Sequence, residues 1–158
     1  MPEIKRTSHA IIIYEHKILL TLRDNKPEIP DPNKWSFPGG EMWMGEDFVE
    51  TLQRELKEEI SVAPQDIVHL GLIINSTTRS RHETYLCRLT PEEAANVKLG
   101  NEGQELKFFT YDEMLQLPHA KYAEIFITQY GKGLKKLIET GEIDMDLLGF
   151  DGEGVLYL

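Results

Sequence analysis

Three glutamates that fall close together on a helical repeat constrain this chain more than any other feature. Glu55, Glu58 and Glu59 stand at positions i, i+3 and i+4. On an α-helix such residues are neighbours, with Cβ atoms about 5–6 Å apart. Two like charges 4 Å apart repel by about 4 kcal/mol at an effective dielectric constant of 20. The cluster therefore predicts a compensating positive charge, and a divalent cation is the simplest candidate.

The residues around the cluster predict a helix from about Glu46 to Ile60. At about 100° per residue, one arc of this helix is apolar, and it contains Phe48, Val49, Leu52, Leu56 and Ile60. Glu59 falls inside this arc, Glu55 lies at its edge and Glu58 lies further round. Carboxylates near a core need partners, and oxygen-only ligands favour Mg²⁺, with Mn²⁺ as a substitute, over zinc.

A solvated helix face is the alternative interpretation of these charges. Glu50 with Arg54, and Arg54 with Glu58, have the i,i+4 spacing of ordinary surface ion pairs. The glutamates nevertheless belong to a longer pattern, which begins at Gly40 and continues through Glu46 to Arg54. A chance match to all of its fixed positions is on the order of one in ten thousand or rarer at typical residue frequencies. The long pattern favours the metal site.

Residues 40–62 resemble the signature G-x5-E-x7-R-E-U-x-E-E-x-G-U (U is apolar) of the Nudix hydrolases. The matching positions are Gly40, Glu46, Arg54, Glu55, Leu56, Glu58, Glu59 and Val62. Ser61 departs from the signature, because the family usually has glycine just past the helix end, where a left-handed conformation suits it. Ser61 removes no ligand, so we expect activity to be retained.

Composition bounds the class of protein. The 158 residues suit a single domain, residues 1–158, and the formal net charge is −10. This charge argues against extended nucleic-acid binding and against anionic membranes, but a metal can still bridge to a small nucleotide. The single cysteine, Cys87, allows no intrachain disulfide. No segment has the character of a membrane span or a signal peptide, which predicts a cytoplasmic protein; a homodimer is left open.

Strands and helices alternate along the predicted chain. Strands are predicted at 10–14, 17–22, 35–37, 67–76, 83–89 and 106–110, and helices at 111–117 and 122–140, besides the glutamate helix. This order favours a mixed sheet between helical layers, and the resemblance implies the same α/β/α sandwich over residues 8–140. Pro38-Gly39-Gly40 is expected to end the third strand, and 24–34 is a proline-rich loop. The tail 141–158 lies outside the resemblance.

The resemblance also implies roles for the residues of the signature. Gly39 matches a glycine whose carbonyl binds a metal, and Glu55, Glu58 and Glu59 match the side-chain ligands. Glu46 and Arg54 match a structural pair that fixes the glycine loop to the helix.

A further carboxylate is expected from a loop beyond the signature. Glu102-Gly103-Gln104 precedes an aromatic strand, as in MutT-type pyrophosphohydrolases, so Glu102 is the expected ligand and Glu105 the alternative. The general base in this family comes from either region, and Glu55 is named first and Glu102 second.

Four basic residues are candidate substrate contacts. Arg23 falls near an arginine that contacts base or phosphate in the MutT-type group, and Arg79 and Arg81 are candidate phosphate contacts. Lys121 lies where an asparagine reads an oxidised purine, and Glu41 replaces a lysine that can follow the glycines. Both departures argue against strict selectivity for 8-oxoguanine.

The implied activity is Mg²⁺-dependent hydrolysis of a nucleoside diphosphate-linked substrate. A (d)NTP or oxidised (d)NTP, cleaved to the monophosphate and pyrophosphate, is the first candidate. A nucleotide sugar, a dinucleotide or an RNA 5′ end is the alternative substrate, and a non-catalytic nucleotide-binding module is the alternative class. The histidines show no ligand spacing and are interpreted as non-catalytic; they are His9, His16, His69, His82 and His119.

Overall fold

A mixed β-sheet forms the centre of the protein in the computed structural model, which describes residues 4–158. Its eight strands are β1 (Arg6–Tyr14), β2 (Lys17–Leu22), β3 (Trp35–Ser36), β4 (Gly39–Glu41), β5 (Asp66–Ile74), β6 (Arg81–Arg88), β7 (Glu105–Phe109) and β8 (Val155–Tyr157). The helices in the described residues are α1 (Phe48–Ile60), α2 (Pro91–Ala95), α3 (Tyr111–Met114) and α4 (Lys121–Thr140). None of them combines the length and apolar character needed to cross a bilayer.

Two helical layers cover the sheet, one on each face. Side chains alternate along β1, so Ala10 and Ile12 pack with Leu52, Leu56 and Ile60 of α1 in one core cluster. The opposite face of the sheet packs against α4 in a second cluster that includes Ile11, Ile13, Ile18, Leu20, Phe126, Leu134 and Leu137. This arrangement confirms the predicted α/β/α sandwich around a mixed sheet.

The hairpin of β1 and β2 opens into a fork. The two strands pair only near their turn, from Ile12 with Leu19 to Tyr14 with Lys17. Further from the turn, β1 pairs with β4 at residues 7–9, whereas β2 pairs with β3 at residues 21–22. The two arms of the hairpin therefore diverge, and the space between them becomes the cavity described below.

The glycine pair belongs to a separate short strand, β4. Strand β3 ends at Ser36, before these glycines, but Gly39 then pairs with His9 of β1 and Gly40 with Ser8, which the sequence-based prediction lacks. A Cβ atom on Gly39 would lie 2.1 Å from the Ser8 carbonyl oxygen, and its φ is +148°. Only glycine allows this close approach of two backbones.

Helix α1 begins two residues later than predicted, because Asp47 is its N-cap. Asp47 and Glu50 form a reciprocal capping box. Val49 is 41% exposed, so its assignment to the apolar arc is wrong. At the other end Ser61 adopts the left-handed conformation, with φ of 67°, and its hydroxyl donates to the Lys98 carbonyl at 2.8 Å. The helix thus ends as the family pattern implies, with serine in place of glycine.

The tail 141–158 packs on its own chain. Its strand β8 pairs in parallel with β5, and Leu148 and Phe150 are buried in the cluster beneath α4. A Cβ atom on Gly71 would lie 2.3 Å from the Phe150 ring, so that ring rests directly on the β5 backbone. Both β8 and the short helix α2 are absent from the sequence-based prediction.

Removal of the Phe150 ring tests whether the tail contributes to folding. Because Phe150 is 2% exposed, we expect Phe150→Ala to lower the free energy of unfolding by about 3–5 kcal/mol, as for other buried phenylalanines. Leu147→Ala is the control, since Leu147 is 40% exposed and its change should stay within about 0.5 kcal/mol. Urea unfolding measures both, and equal losses would contradict a structural role for the tail.

Candidate active site

A cavity of about 660 Å³ opens in the fork between β1 and β2. Its wall is formed by β1, β4, α1, the 101–103 loop, the proline-rich loop and the start of α4. Sites for small ligands have volumes of about 300–1,000 Å³. The cavity is therefore large enough for a nucleotide.

A bidentate ion pair ties the loop after the glycines to α1. Arg54 donates from Nε to Glu46 Oε2 at 2.7 Å and from Nη2 to Glu46 Oε1 at 3.0 Å. Arg54 also donates to the Glu41 carbonyl at 2.9 Å, and its guanidinium stacks 3.6 Å from the Trp43 ring centre. The bonds from Arg54 lower the pKa of Glu46 to about 2, and the Trp43 amide and the Thr51 hydroxyl add to the effect. The loop is thus held in one position.

Glu55 lies between this pair and the cavity. Its Oε1 accepts a hydrogen bond from Arg54 Nη1 at 2.8 Å, and 15% of its side chain is exposed. Burial raises its pKa; Arg54 opposes this effect, while Glu58 and Glu102 add to it. A Cβ atom on Gly40 would lie 2.5 Å from the Glu55 carboxyl carbon, so the glycine makes room for the carboxylate.

Glu59 is the most strongly perturbed carboxylate of the site. Burial raises its pKa to about 8; the Gly39 amide, 3.2 Å from its Oε2, opposes this shift, and Glu55 and Glu102 reinforce it. Glu55 and Glu59 therefore lie in one desolvated, negatively charged region of the cavity wall. Such carboxylates require a cationic partner when ionised.

The two remaining predicted carboxylates differ in position. Glu58 is 53% exposed and approaches Arg54 at 3.6 Å. Glu102 lines the cavity, whereas Glu105 is not among its lining residues. The loop that carries Glu102 is anchored by hydrogen bonds from the Gly103 amide to Asp24 and from the Gln104 side chain to the Arg23 carbonyl.

The chemistry of this donor set fits a divalent cation. In the described residues no three His, Cys, Asp or Glu side chains gather closely enough to enclose an ion as they stand. Glu55 and Glu59 are nevertheless desolvated carboxylates whose pKa values are raised by burial and by their acidic neighbours. Oxygen-only donors of this kind suit Mg²⁺ and Mn²⁺.

The predicted substrate contacts divide into two groups. Arg23 and Lys121 line the cavity; Arg23 Nε donates to the Pro30 carbonyl at 2.9 Å. Arg79 and Arg81 line a separate depression beside β8. Alternation along β6 explains the placement of Arg81, since its neighbour His82 faces the cavity and successive side chains point to opposite faces. This placement does not support the interpretation of Arg79 and Arg81 as phosphate contacts.

Two histidines interpreted as non-catalytic line the cavity. Burial lowers the pKa of His9 to about 3 and that of His82 to about 4, so both rings are uncharged at neutral pH. The Thr7 hydroxyl lies 2.6 Å from His82 Nδ1 and 3.2 Å from His9 Nδ1. The sequence feature that could have revealed these two histidines is that each is a polar residue on an otherwise apolar face of a strand. His119, by contrast, bonds the Met114 carbonyl at 2.7 Å and does not line the cavity.

The fold and the site define a Nudix protein, and the family profile described as NUDIX domain matches residues 4–130. The chain therefore belongs to the Nudix family, which confirms the resemblance seen in the sequence. It is a hydrolase of the class that acts on phosphorus anhydrides. No curated protein sequence matches the chain significantly.

Solved structures show the same fold. The NUDIX domain of Shewanella oneidensis NrtR, complexed with ADP ribose, has a TM-score of 0.68 at 23% identity, with 85% of this chain and 90% of that chain covered. A NUDIX hydrolase from Nitrosomonas europaea has a TM-score of 0.67 at 18% identity, with 100% and 80% covered. A MutT NUDIX hydrolase from Burkholderia pseudomallei has a TM-score of 0.63 at 23% identity, with 78% and 95% covered.

The raised pKa of Glu59 predicts a pH-dependent stability difference. A carboxyl whose pKa rises from 4.5 to about 8 on folding stabilises the protein fully below pH 4.5, and this contribution is lost as pH rises to 8. We therefore expect Glu59→Gln to gain stability relative to the wild type between pH 5 and pH 8 in EDTA. The depressed pKa values of His9 and His82 act in the opposite direction, but they are common to both proteins and cancel in the difference.

Thermal unfolding of both proteins at pH 5 and pH 8 measures this difference. Glu139→Gln, at an exposed position near the end of α4, is the control and should show no such trend. A constant difference between wild type and Glu59→Gln across this range would contradict the buried state of Glu59. Addition of Mg²⁺ at pH 8 should raise the melting temperature of the wild type more than that of the variant.

Proposed function

We propose that this protein is a Mg²⁺-dependent pyrophosphohydrolase for a nucleoside diphosphate-linked substrate. The observation that carries the proposal is the set of carboxylates Glu55, Glu59 and Glu102 in the wall of one nucleotide-sized cavity. Cationic side chains line the same cavity: Lys5, Arg23, Lys26 and Lys121. A diphosphate can therefore be held between positive side chains and the acidic wall.

The residues of the chain have separable roles in this proposal. Glu55, Glu58, Glu59, Glu102 and the Gly39 carbonyl would hold the cation. When bound, it would neutralise the diphosphate and lower the pKa of a water molecule. The bidentate pair described above keeps the glycine loop against α1, so it positions Gly39 and Glu55.

Proton transfer from the attacking water requires a carboxylate within hydrogen-bond reach. Arg54 occupies Glu55 Oε1, which leaves Oε2 to accept the proton. Glu102 is the second candidate for this role, since it lines the same cavity.

The substrate proposed first is a (d)NTP or an oxidised (d)NTP, cleaved to the monophosphate and pyrophosphate. Apolar side chains supply a surface for a nucleobase; they include Phe37, Ile73, Ala123 and Phe126. A nucleoside diphosphate sugar or a dinucleotide is the second candidate, because the NrtR domain with the same fold was solved with ADP ribose. The retained glutamates argue against a non-catalytic binding module.

The setting of this activity is also a proposal. We place the protein in the cytoplasm and treat residues 1–158 as one domain. The net charge of −10 and the concave cavity support a small nucleotide as the partner, rather than extended nucleic acid.

The proposed function predicts an absolute requirement for a divalent metal. Excess EDTA should abolish turnover of dGTP, and Mg²⁺ or Mn²⁺ should restore it. Glu58→Gln and Glu59→Gln should each lower kcat by at least about a hundredfold, because they remove metal-organised chemistry. Pyrophosphate release measures these effects, with Glu139→Gln as the control. Undiminished turnover in EDTA would contradict the metal requirement, and near wild-type kcat in both variants would show that these glutamates do not form the metal site.

Base selectivity is expected to be loose. Lys121 carries only hydrogen-bond donors, so it cannot offer the paired donor and acceptor of an asparagine amide, and such a site discriminates weakly between base edges. The ratio of kcat/KM for 8-oxo-dGTP and dGTP measures this selectivity. We expect a ratio below about a thousand, which corresponds to on the order of 4 kcal/mol. A larger ratio would show that another residue reads the oxidised base.

A further inference from the structure

His9 lies directly beside residues that the proposed function assigns to the cation that would bind the diphosphate. It pairs with Gly39 across β1 and β4, and a Cβ atom on Gly39 would lie 2.9 Å from His9 Cδ2. The amide of the same glycine donates to Glu59. The imidazole ring therefore rests against the backbone that would hold the cation.

One ring nitrogen of His9 has no hydrogen-bond partner in the part of the chain that the structure describes. Its Nδ1 atom is engaged by Thr7, whereas Nε2 has no hydrogen-bond partner among residues 4–158. No buried side-chain nitrogen or oxygen in that range lacks a partner, and His9 lines the cavity. The Nε2 atom is therefore accessible to a ligand.

A chain of hydrogen bonds links the tautomer of His9 to that of His82. The Thr7 hydroxyl, with a single proton, lies between the Nδ1 atoms of His9 and His82. The other nitrogen of His82 lies 2.9 Å from Ser80 Oγ, which is in turn 3.4 Å from the Tyr122 hydroxyl. Each hydroxyl donates one proton and can accept others, so whenever Thr7 donates to one of these two nitrogens and accepts from the other, the bonds run in a common direction.

Only one of the two directions suits an anionic ligand. If Ser80 donates to His82 Nε2 and His82 Nδ1 donates to Thr7, then Thr7 donates to His9 Nδ1. The remaining proton of the uncharged His9 ring is then on Nε2. In the opposite direction Nε2 would be an acceptor and would repel a phosphate oxygen. A bound anion thus selects the donor direction, and hydrogen bonds in a chain polarise one another.

We propose that His9 binds the substrate by donating a hydrogen bond from Nε2 to a non-bridging oxygen of its diphosphate. Thr7, His82 and Ser80 are positioning residues whose hydrogen bonds stabilise the Nε2–H tautomer of His9 once the anion is bound. This inference rests on the proposed function, since it takes the diphosphate as the group beside Gly39. An uncharged donor contributes to phosphate binding without repelling a cation held by the neighbouring carboxylates.

Kinetics of two His9 variants test the contact. His9→Leu removes the donor and should lower kcat/KM for dGTP at least about tenfold, or about 1.4 kcal/mol. His9→Gln keeps an N–H group at a similar reach and should recover most of the loss. His69→Leu is the matched control, because His69 pairs with Glu83 and does not line the cavity. Thermal unfolding of each variant separates this effect from a loss of folding.

The tautomer is tested directly by ¹⁵N NMR of the imidazole groups. With Mg²⁺ and α,β-methylene-dGTP, a non-hydrolysable analogue, His9 should carry its proton on Nε2, and the Nε2 resonance should shift on binding. His82→Phe should weaken the preference for this tautomer. A protonated Nδ1 in the complex, or an Nε2 resonance that does not respond to the analogue, would overturn the proposal.

The results of these experiments separate the role of His9 from the proposed function on which it rests. Wild-type hydrolysis of dGTP together with a kcat/KM of His9→Leu within twofold of wild type would reject the role of His9 alone. A wild-type protein that neither binds the analogue nor hydrolyses any nucleotide, nucleotide sugar or dinucleotide would reject the proposed function, and the role of His9 with it.

Discussion

The ion pair of Glu46 and Arg54 is the contact on which the geometry of the site depends. Arg54 uses its five-donor guanidinium to reach Glu46 twice, Glu55 once and the Glu41 carbonyl once, a fork geometry that lysine could not reproduce. One side chain therefore fixes the loop after the glycines and orients a carboxylate of the cavity wall. Trp43 covers the guanidinium. Because the pair is rigid, the glycine backbone keeps its place against Glu55.

The protein retains an arrangement at its site that opposes its own stability. Glu59 is placed where burial and neighbouring carboxylates raise its pKa to about 8, and each unit of pKa shift corresponds to about 1.4 kcal/mol. Folding tolerates this cost because the two apolar clusters on either side of the sheet are extensive. Stored electrostatic repulsion is typical of functional sites, and a bound cation would relieve it.

The cavity itself is a product of sheet topology. Strand β1 pairs with β2 near the hairpin turn and with β4 further from it. The two arms of the hairpin therefore diverge and leave room between them. Polar residues of β1 and β6 face this space, whereas residues further along the same faces of these strands pack in the core. Thr7, His9 and His82 occupy those positions, so the fork that admits a ligand also exposes a neutral hydrogen-bonding network to it.

The sequence by itself determined the helix with its glutamates, the first hairpin and the sandwich class, because local periodicity and the order of the elements encode them. The pairing of Glu46 with Arg54 came from the family resemblance of the motif. Tertiary structure decided which distant residues share the cavity. Strand alternation separates Arg81 from His82, and the fork brings His9 beside Gly39; neither follows from local spacing. Periodicity did not predict the packing of the tail either, because Phe150 is buried by its contact with Gly71 on another strand. Pairing between distant strands has no local signature, so only the folded chain reveals it.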